Sequence, residues 1–172
     1  MNKQGSPKFS AVPQYIFREL TDITPDFLVR LGVRFLMLDL DNTIAAYNEH
    51  SPSQAVSEWF AMMKSHGIEL FIISNSTRIN RVEAFSNALG AGFVMRSRKP
   101  SPQGLYKALN ETGQDAGVSA LVGDQVLTDA LAANRAGVIS IVVHPRRFTN
   151  PFLALRYYIE APFRALCRNK EK

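Results

Sequence analysis

The sequence predicts an α/β fold, a doubly wound parallel sheet, on three observations. Between residues 33 and 143, apolar runs of strand length alternate with segments of helical periodicity. The runs are short and almost continuously apolar, as in strands covered on both faces, where strict alternation would mark one wet face. Most of the segments close on Gly or Asn, and so regular an alternation implies right-handed βαβ units with helices on both sides of the sheet.

The first strand is expected over 33–38, a branched and aromatic run that ends at Asp39. A helix follows over about 53–66, with Ser51 or Ser53 as N-cap, Val56, Trp59, Phe60 and Met63 at helical spacing, and Gly67 as its stop. Residues 68–73 are the second strand. Residues 78–89 read as a helix with Val82, Phe85, Ala88 and Leu89 on one face and Gly90 behind it. A short strand over 92–95 precedes a helix over 102–109 that is entered through Pro102. The next strand, 118–122, leads into a helix over about 127–136 closed by Gly137, and 138–143 is the most hydrophobic strand of all. One domain over 1–172 is expected, with its core at about 31–144, an N-terminal arm at 1–30 and a C-terminal segment at 145–172.

At 46% hydrophobic and 20% charged, the 172-residue chain has the composition of a folded globular protein. Its net charge of +5 is unevenly placed: from Pro145 to Lys172, seven Lys and Arg face only Glu160 and Glu171, so this segment holds the whole surplus. A core without positive excess argues against a nucleic-acid partner. The longest stretch free of Asp, Glu, Lys and Arg, 84–95, is far below the roughly 18 apolar residues that span a bilayer. After Lys3 and Lys8 the apolar stretch is broken by Pro13 and Gln14 and leads to no small-residue cleavage site, so no signal peptide is expected. The lone Cys167 cannot form an internal disulfide, which points to a reducing, cytoplasmic setting.

In doubly wound sheets ligands bind at the carboxyl ends of the strands, so the residues that end each apolar run matter most. These are Asp39, Asp41 and Thr43 after the first strand, Ser74 and Asn75 after the second, and Asp124 after 118–122, with Asp129 five positions on; Lys99 precedes the helix at Pro102. Phosphate ester hydrolysis gives each a task. A carboxylate that attacks phosphorus divides one hard displacement into two easier ones, and Asp39, fixed by the sheet, suits that role. Asp41 can protonate the leaving oxygen and later take a proton from water. Carboxylates this close repel, and a divalent cation resolves the repulsion: Mg²⁺ prefers oxygen ligands, and Asp39, the Asp41 carbonyl and Asp124 suffice with water and phosphate. Lys99 supplies positive charge, the Ser74 hydroxyl and Asn75 amide can bond equatorial oxygens, and Asp129 stands behind, orienting waters or Lys99.

This ordered set resembles the motifs of the haloacid dehalogenase superfamily: Asp-x-Asp-x-Thr, then Ser/Thr, then Lys, then Gly-Asp with a further acid. The wording Asp39-Leu-Asp-Asn-Thr43, Ser74-Asn75, Lys99-Pro100 and Gly123-Asp124-Gln125 followed by Thr128-Asp129 is similar to subfamily IIIA and its YqeG-type phosphatases. The resemblance implies a Rossmann-like core, Asp39 as nucleophile, Asp41 as acid/base, Thr43, Ser74, Asn75 and Lys99 around the phosphate, and Asp39, Asp41 and Asp124 as the Mg²⁺ site. An acid at position 41 favours a phosphatase over a dehalogenase or a pump-like ATPase. Relatives of this wording include phosphatidylglycerophosphate phosphatases, which makes that lipid the substrate hypothesis; a soluble metabolite or a phosphoprotein is the alternative.

Other readings of these residues are weaker. An EF-hand loop from Asp39 fails at Ile44, where Gly is required, and at His50, where Glu is required. His50, His66 and His144 share no zinc spacing. A receiver-like phospho-accepting module would carry its acceptor Asp at a middle strand, whereas residues 68–73 end without one. The gaps between motifs hold one helix, or a helix and a strand, so no large cap domain fits and the site is open to bulky substrates. The C-terminal segment interleaves Phe152, Leu155, Tyr158, Ile159 and Phe163 with Arg156, Arg164 and Arg168, a basic amphipathic pattern bent near Pro162. It suits either peripheral contact with an anionic membrane or packing on the sheet.

Overall fold

The computed structural model describes residues 8–147 and 151–170. Lys3, Asn150, Glu171 and Lys172, which enter the expectations above, lie outside the described residues. The strands are β1 (Tyr15–Phe17), β2 (Phe35–Leu38), β3 (Glu69–Ile73), β4 (Gly92–Val94), β5 (Ser119–Gly123), β6 (Ile139–Val143) and β7 (Asn169–Lys170). The helices are α1 (Pro25–Arg30), α2 (Gln54–Ser65), α3 (Ile79–Leu89), α4 (Gln103–Thr112), α5 (Leu131–Ala136), α6 (Pro151–Ile159) and α7 (Ala161–Leu166). One parallel sheet results, in the order β4-β3-β2-β5-β6-β1-β7. From β2 the chain winds outward to β3 and β4, then returns to β5 on the other side of β2. The order therefore reverses between β2 and β5, where such folds leave a crevice.

Two apolar layers explain why the strand runs are nearly continuous. Leu36, Leu38, Leu70, Ile72 and Val122 pack with Phe27 and Leu28 of α1, Trp59, Phe60 and Met63 of α2, and Val82 and Phe85 of α3. The intervening residues Phe35, Met37, Phe71, Ile73 and Leu121 face the other way, against Leu105 and Ala108 of α4 and Ala132, Ala133 and Ala136 of α5. Successive strand residues point to opposite faces, and here both faces are dry. The Trp59 indole spends its one donor on the Ile23 carbonyl at 2.8 Å, so a large ring is buried without an orphaned N–H. Ser53, one of the two expected caps, starts α2 by accepting the Val56 N–H. Gly90 and Gly137 end α3 and α5 with φ of +58° and +76°, the left-handed conformation that favours glycine.

The structure departs from the sequence reading in three places. The helix expected at 127–136 opens with a π turn, Val126–Ala130, before α5 begins. The helix expected to end at 109 runs to Thr112, whose hydroxyl back-bonds the Ala108 carbonyl, and it closes at Gly113. β1 and β7 have no counterpart among the expected elements. β1 pairs with β6, and β7 pairs with β1 at the edge. The arm is attached through polar groups that periodicity does not register: Gln14 Oε1 accepts the Ser140 N–H, and the Asn134 amide donates to the carbonyls of Ser10 and Val12.

Candidate active site

Strand register brings the motifs together. Leu38 lies opposite Ile72 on one side and Val122 on the other, so the chain leaves β2 at Asp39 beside Ser74 and Asp124, which follow the two neighbouring strands. The Asp39 N–H still bonds the Val122 carbonyl at 2.9 Å, so the sheet holds this residue in place. Lys99 arrives from the segment between β4 and α4. This segment is braced by Asn75, whose side chain donates to the Lys99 carbonyl and accepts from Ser97 Oγ and the Lys99 N–H. The Asn75 amide was expected at the phosphate. Instead both its ends are bonded to 97–99, because a segment with Arg96 and Arg98 at positive φ needs an external template.

Lys99 is the hub, 5% exposed. Its Nζ donates to Asp39 Oδ1 at 2.6 Å, to Asp129 Oδ1 at 2.8 Å and to the Ile73 carbonyl at 2.9 Å, which uses all three ammonium protons. Burial works against its charge, but Asp129 and Asp39 outweigh it and hold the pKa above the usual lysine value. Asp129, expected behind the site as the group that orients waters or Lys99, does bond Lys99. It lies within the cluster, 2% exposed, because the π turn carries it inward and the Gln125 N–H fixes its second oxygen at 3.0 Å. Gly123 makes room: a Cβ there would collide with the Asp129 side chain.

Asp39, Asp124 and Asp129 each offer a carboxylate oxygen, and these atoms lie within 4.8 Å of one another. Burial, reinforced by Asp129 and opposed by Lys99, raises the Asp39 pKa from 3.8 to about 7. Burial also pushes Asp124 well up, with Asp39 and Asp129 adding to the effect. Three acids share one ammonium, so the cluster is short of positive charge. Asp124 Oδ1 is buried and has no hydrogen-bond partner among the described residues. Hard oxygen donors, one of them unpaired, fit a divalent cation of the Mg²⁺ type. Asp39 and Asp124 are its available ligands, while both Asp129 oxygens are engaged by Lys99 and Gln125.

The remaining motif residues take distinct positions. Thr43 is buried, with its hydroxyl 3.5 Å from Asp39 Oδ2, so that oxygen is only weakly engaged. Ser74 is 1% exposed; its Oγ accepts the Ser76 N–H, and no described residue accepts its own proton. Asp41 does not join the acid cluster. Its carboxylate turns to Arg81 of α3 at 2.7 Å, and burial raises its pKa while Arg81 pulls it back. Arg81, itself buried, also donates to the carbonyls of Ala46 and Glu49, which ties down the loop that follows the two aspartates.

Sequence reasoning did not find Arg81, nor the second clamp, which comes from the C-terminal segment. Arg164 of α7 is 7% exposed and donates to the Asp124 carbonyl at 2.6 Å and to Glu160 at 3.2 Å. Its guanidinium lies 4.6 Å from the Tyr157 ring centroid, and its buried Nε and Nη1 have no hydrogen-bond acceptor among the described residues. Glu160 accepts the Leu127 N–H, Arg156 reaches Thr128 Oγ1, and Arg146 donates to the Ile44 carbonyl. The segment thus packs on the core and grips the loops after β2 and β5. No signal in the sequence marks these contacts, because an arginine that serves a carbonyl needs no partner at any fixed spacing. Among the described residues, no helix is long and apolar enough to cross a membrane.

A family model described as haloacid dehalogenase-like hydrolase matches residues 9–137. The chain is 32% identical over 161 residues to the probable phosphatase YqeG of Bacillus subtilis, covering 94% of this chain and 92% of that protein. Its fold is similar to 3-deoxy-D-manno-octulosonate 8-phosphate phosphatase from Moraxella catarrhalis, a structure holding magnesium, phosphate and a KDO molecule, with a TM-score of 0.58, 16% identity and coverage of 84% and 80%. A hypothetical protein from Xanthomonas campestris gives 0.57 at 16% identity, over 90% and 81% of the two chains. The identity across nearly the whole chain, together with the family match, settles the assignment: the chain belongs to the haloacid dehalogenase-like hydrolases, as a phosphatase of the YqeG kind.

Proposed function

We propose that the protein is a Mg²⁺-dependent phosphomonoester hydrolase that works through an aspartyl-phosphate on Asp39, and that its substrate is phosphatidylglycerophosphate. The observation that carries the reaction is the state of Asp39: one oxygen bonded to Lys99 at 2.6 Å, the other nearly free, at the carboxyl end of β2 beside the switch point. Asp39 Oδ2 attacks phosphorus and the ester oxygen leaves with a proton from Asp41, whose raised pKa suits an acid. Water then attacks the acyl phosphate, Asp41 takes its proton back, and inorganic phosphate departs. Lys99 balances the charge gathered on Asp39 and the phosphoryl oxygens, the Ser74 hydroxyl donates to one of those oxygens, and Thr43 keeps Asp39 in its rotamer. Asp129 orients Lys99. Held by Asp39 and Asp124, with the Asp41 carbonyl, a Mg²⁺ ion supplies the charge that lets an anionic nucleophile approach an anionic phosphate.

Two features support a lipid substrate at a membrane surface. Among the described residues no separate domain covers the rim, so a headgroup can enter while its acyl chains stay outside. On α6, which packs beside that rim, Phe152, Leu155 and Ile159 are 72%, 57% and 56% exposed at a spacing that places them on one helix face. Arg168, near the end of the segment, is exposed as well, and cations beside an apolar face are drawn to an anionic leaflet. Phosphate release from p-nitrophenyl phosphate, stopped by EDTA and reduced by at least about 10³-fold in Asp39→Asn, tests the reaction. Protein that turns over nothing, or an Asp39→Asn variant that works as well as wild type, overturns it. Phosphatidylglycerophosphate in mixed micelles, compared with sugar phosphates and phosphopeptides, tests the substrate, and a wide preference for a soluble ester rejects the lipid.

A further inference from the structure

We propose that the cavity beside Asp41 receives the leaving group of the ester and that Arg78 binds a second anionic group carried by it. The inference rests on the phosphatase reading above and adds what the leaving alcohol looks like. The acid that protonates the ester oxygen stands on the leaving-group side, so the space next to Asp41 is where that group can go. Asp41 is bonded to Arg81, and Arg81 is a wall of a cavity of about 520 Å³ formed with His50, Thr77, Arg78 and Asn80. The volume lies in the range of small-molecule sites, roughly 300–1,000 Å³.

No acidic residue lines this cavity. Its two arginines differ. Arg81 is committed, with Asp41 and two loop carbonyls absorbing its donors. Arg78 makes no ion pair and no guanidinium hydrogen bond among the described residues. Its guanidinium is stacked 4.8 Å from the ring centroid of Tyr47, which comes from the loop after Asp41 and is itself 44% exposed. Stacking fixes the plane of a guanidinium while leaving its N–H fork open, the state in which arginine recognises a phosphodiester or carboxylate bidentately. The leaving group is therefore an alcohol with an acidic oxygen group a few atoms from the ester, as a lipid phosphodiester or a short carboxylate would provide.

The test uses three propyl monophosphates that differ only at the far end, as hydroxyl, carboxylate or methyl phosphodiester, on wild type, Arg78→Ala and Arg78→Lys. Wild type should favour the two anionic esters by about tenfold or more in kcat/KM, through KM, since a charge-assisted hydrogen bond carries about that factor. In Arg78→Ala the preference should fall to near one, and Arg78→Lys should restore part of it. A stronger preference for the phosphodiester end assigns the lipid source, and one for the carboxylate end assigns a soluble metabolite. Equal hydrolysis of all three esters by wild type, or an unchanged preference in Arg78→Ala, overturns this proposal alone. No hydrolysis of any ester overturns the phosphatase reading with it.

Discussion

The two sides of the catalytic rim are built on different electrostatic principles. On the inner side, Lys99 meets Asp39 and Asp129 through side-chain ion pairs, with all three groups buried. On the outer side, Arg81, Arg146 and Arg164 reach backbone carbonyls at Ala46, Glu49, Ile44 and Asp124. A buried cluster of acids around one cation raises carboxyl pKa values and stores repulsion that a metal relieves, which is the requirement of the chemistry. Arg81 and Arg164 each pair with one acid as well, Asp41 and Glu160, but it is their bonds to carbonyls that set where a loop lies. The inner side makes the site reactive, and the outer side makes it hold its shape.

The sharpest way to break the inner side is Lys99→Met. Removing the only cation among three acids leaves charges with no partner, a loss of about 3–5 kcal/mol for a buried pair. For a chain of this size that is a fall in Tm of roughly 10 °C. Activity should vanish. Millimolar Mg²⁺ should recover part of the Tm without recovering turnover, because it relieves the repulsion but does not replace the ammonium at the phosphate. Thermal unfolding with EDTA and with Mg²⁺ checks this, and a variant as stable as wild type in EDTA would contradict the charge balance described here.

The outer side should respond differently. Arg164→Leu leaves Glu160 with the Leu127 N–H and the 3.5 Å contact with Arg156, and should cost about 2–3 kcal/mol. The double variant Glu160→Leu/Arg164→Leu should regain part of that stability, since replacing both members of a buried pair by apolar groups is often neutral while the Leu127 N–H loses its acceptor. The Asp124 carbonyl stays unheld in both, so both should need several-fold more Mg²⁺ for half-maximal activity while kcat at saturating Mg²⁺ changes little. If the double variant regains normal Mg²⁺ activation along with stability, the segment is a cover and not a clamp.

This contrast also explains what could be read in advance. Asp39, Ser74, Lys99 and Asp124 are legible because each ends an apolar run or precedes a helix, and the sheet then brings them to one rim on both sides of the switch point. The two apolar layers were legible for the same reason, in the unbroken runs of β2, β3 and β5. Asp129 is legible as a group that orients Lys99, whereas the π turn that carries it is not, because a π turn and an α-turn leave the same trace in a sequence. The bracing role of Asn75 is not legible, because nothing in its position tells that Arg96 and Arg98 adopt positive φ. β1 was missed because three residues after Pro13 are too few for a pattern, and its polar anchors, Ser140 and Asn134, lie more than 120 positions away. The net charge of +5 locates a basic segment but not its contacts: Arg164 is buried against the loop after β5, and Arg146 holds the loop after Asp41.

The smallest expected effect separates the two sides by pH. His144 ends β6 and meets the Tyr157 hydroxyl of α6 at 2.7 Å, so it joins the core to the C-terminal segment. Burial, with the Arg164 charge in support, lowers its pKa below the usual 6.5. The folded protein then holds the neutral ring more firmly than the unfolded chain does. The contribution of His144 is complete above about pH 6.5 and is lost as pH falls through its folded value. Asp39 and Asp124 carry the opposite sign: their raised pKa values mean that the folded state binds protons more tightly, so without metal they gain stability as pH falls. The acids mask the histidine in wild type alone, and a comparison removes the mask. His144→Gln keeps a hydrogen-bonding group at Tyr157 and deletes the titration. Urea midpoints in EDTA at pH 7.5 and 5.5 should show wild type losing more stability, or gaining less, than His144→Gln on acidification. Parallel pH responses would mean that His144 does not sense the clamp, and that Arg164 acts on Asp124 without reaching the junction with β6.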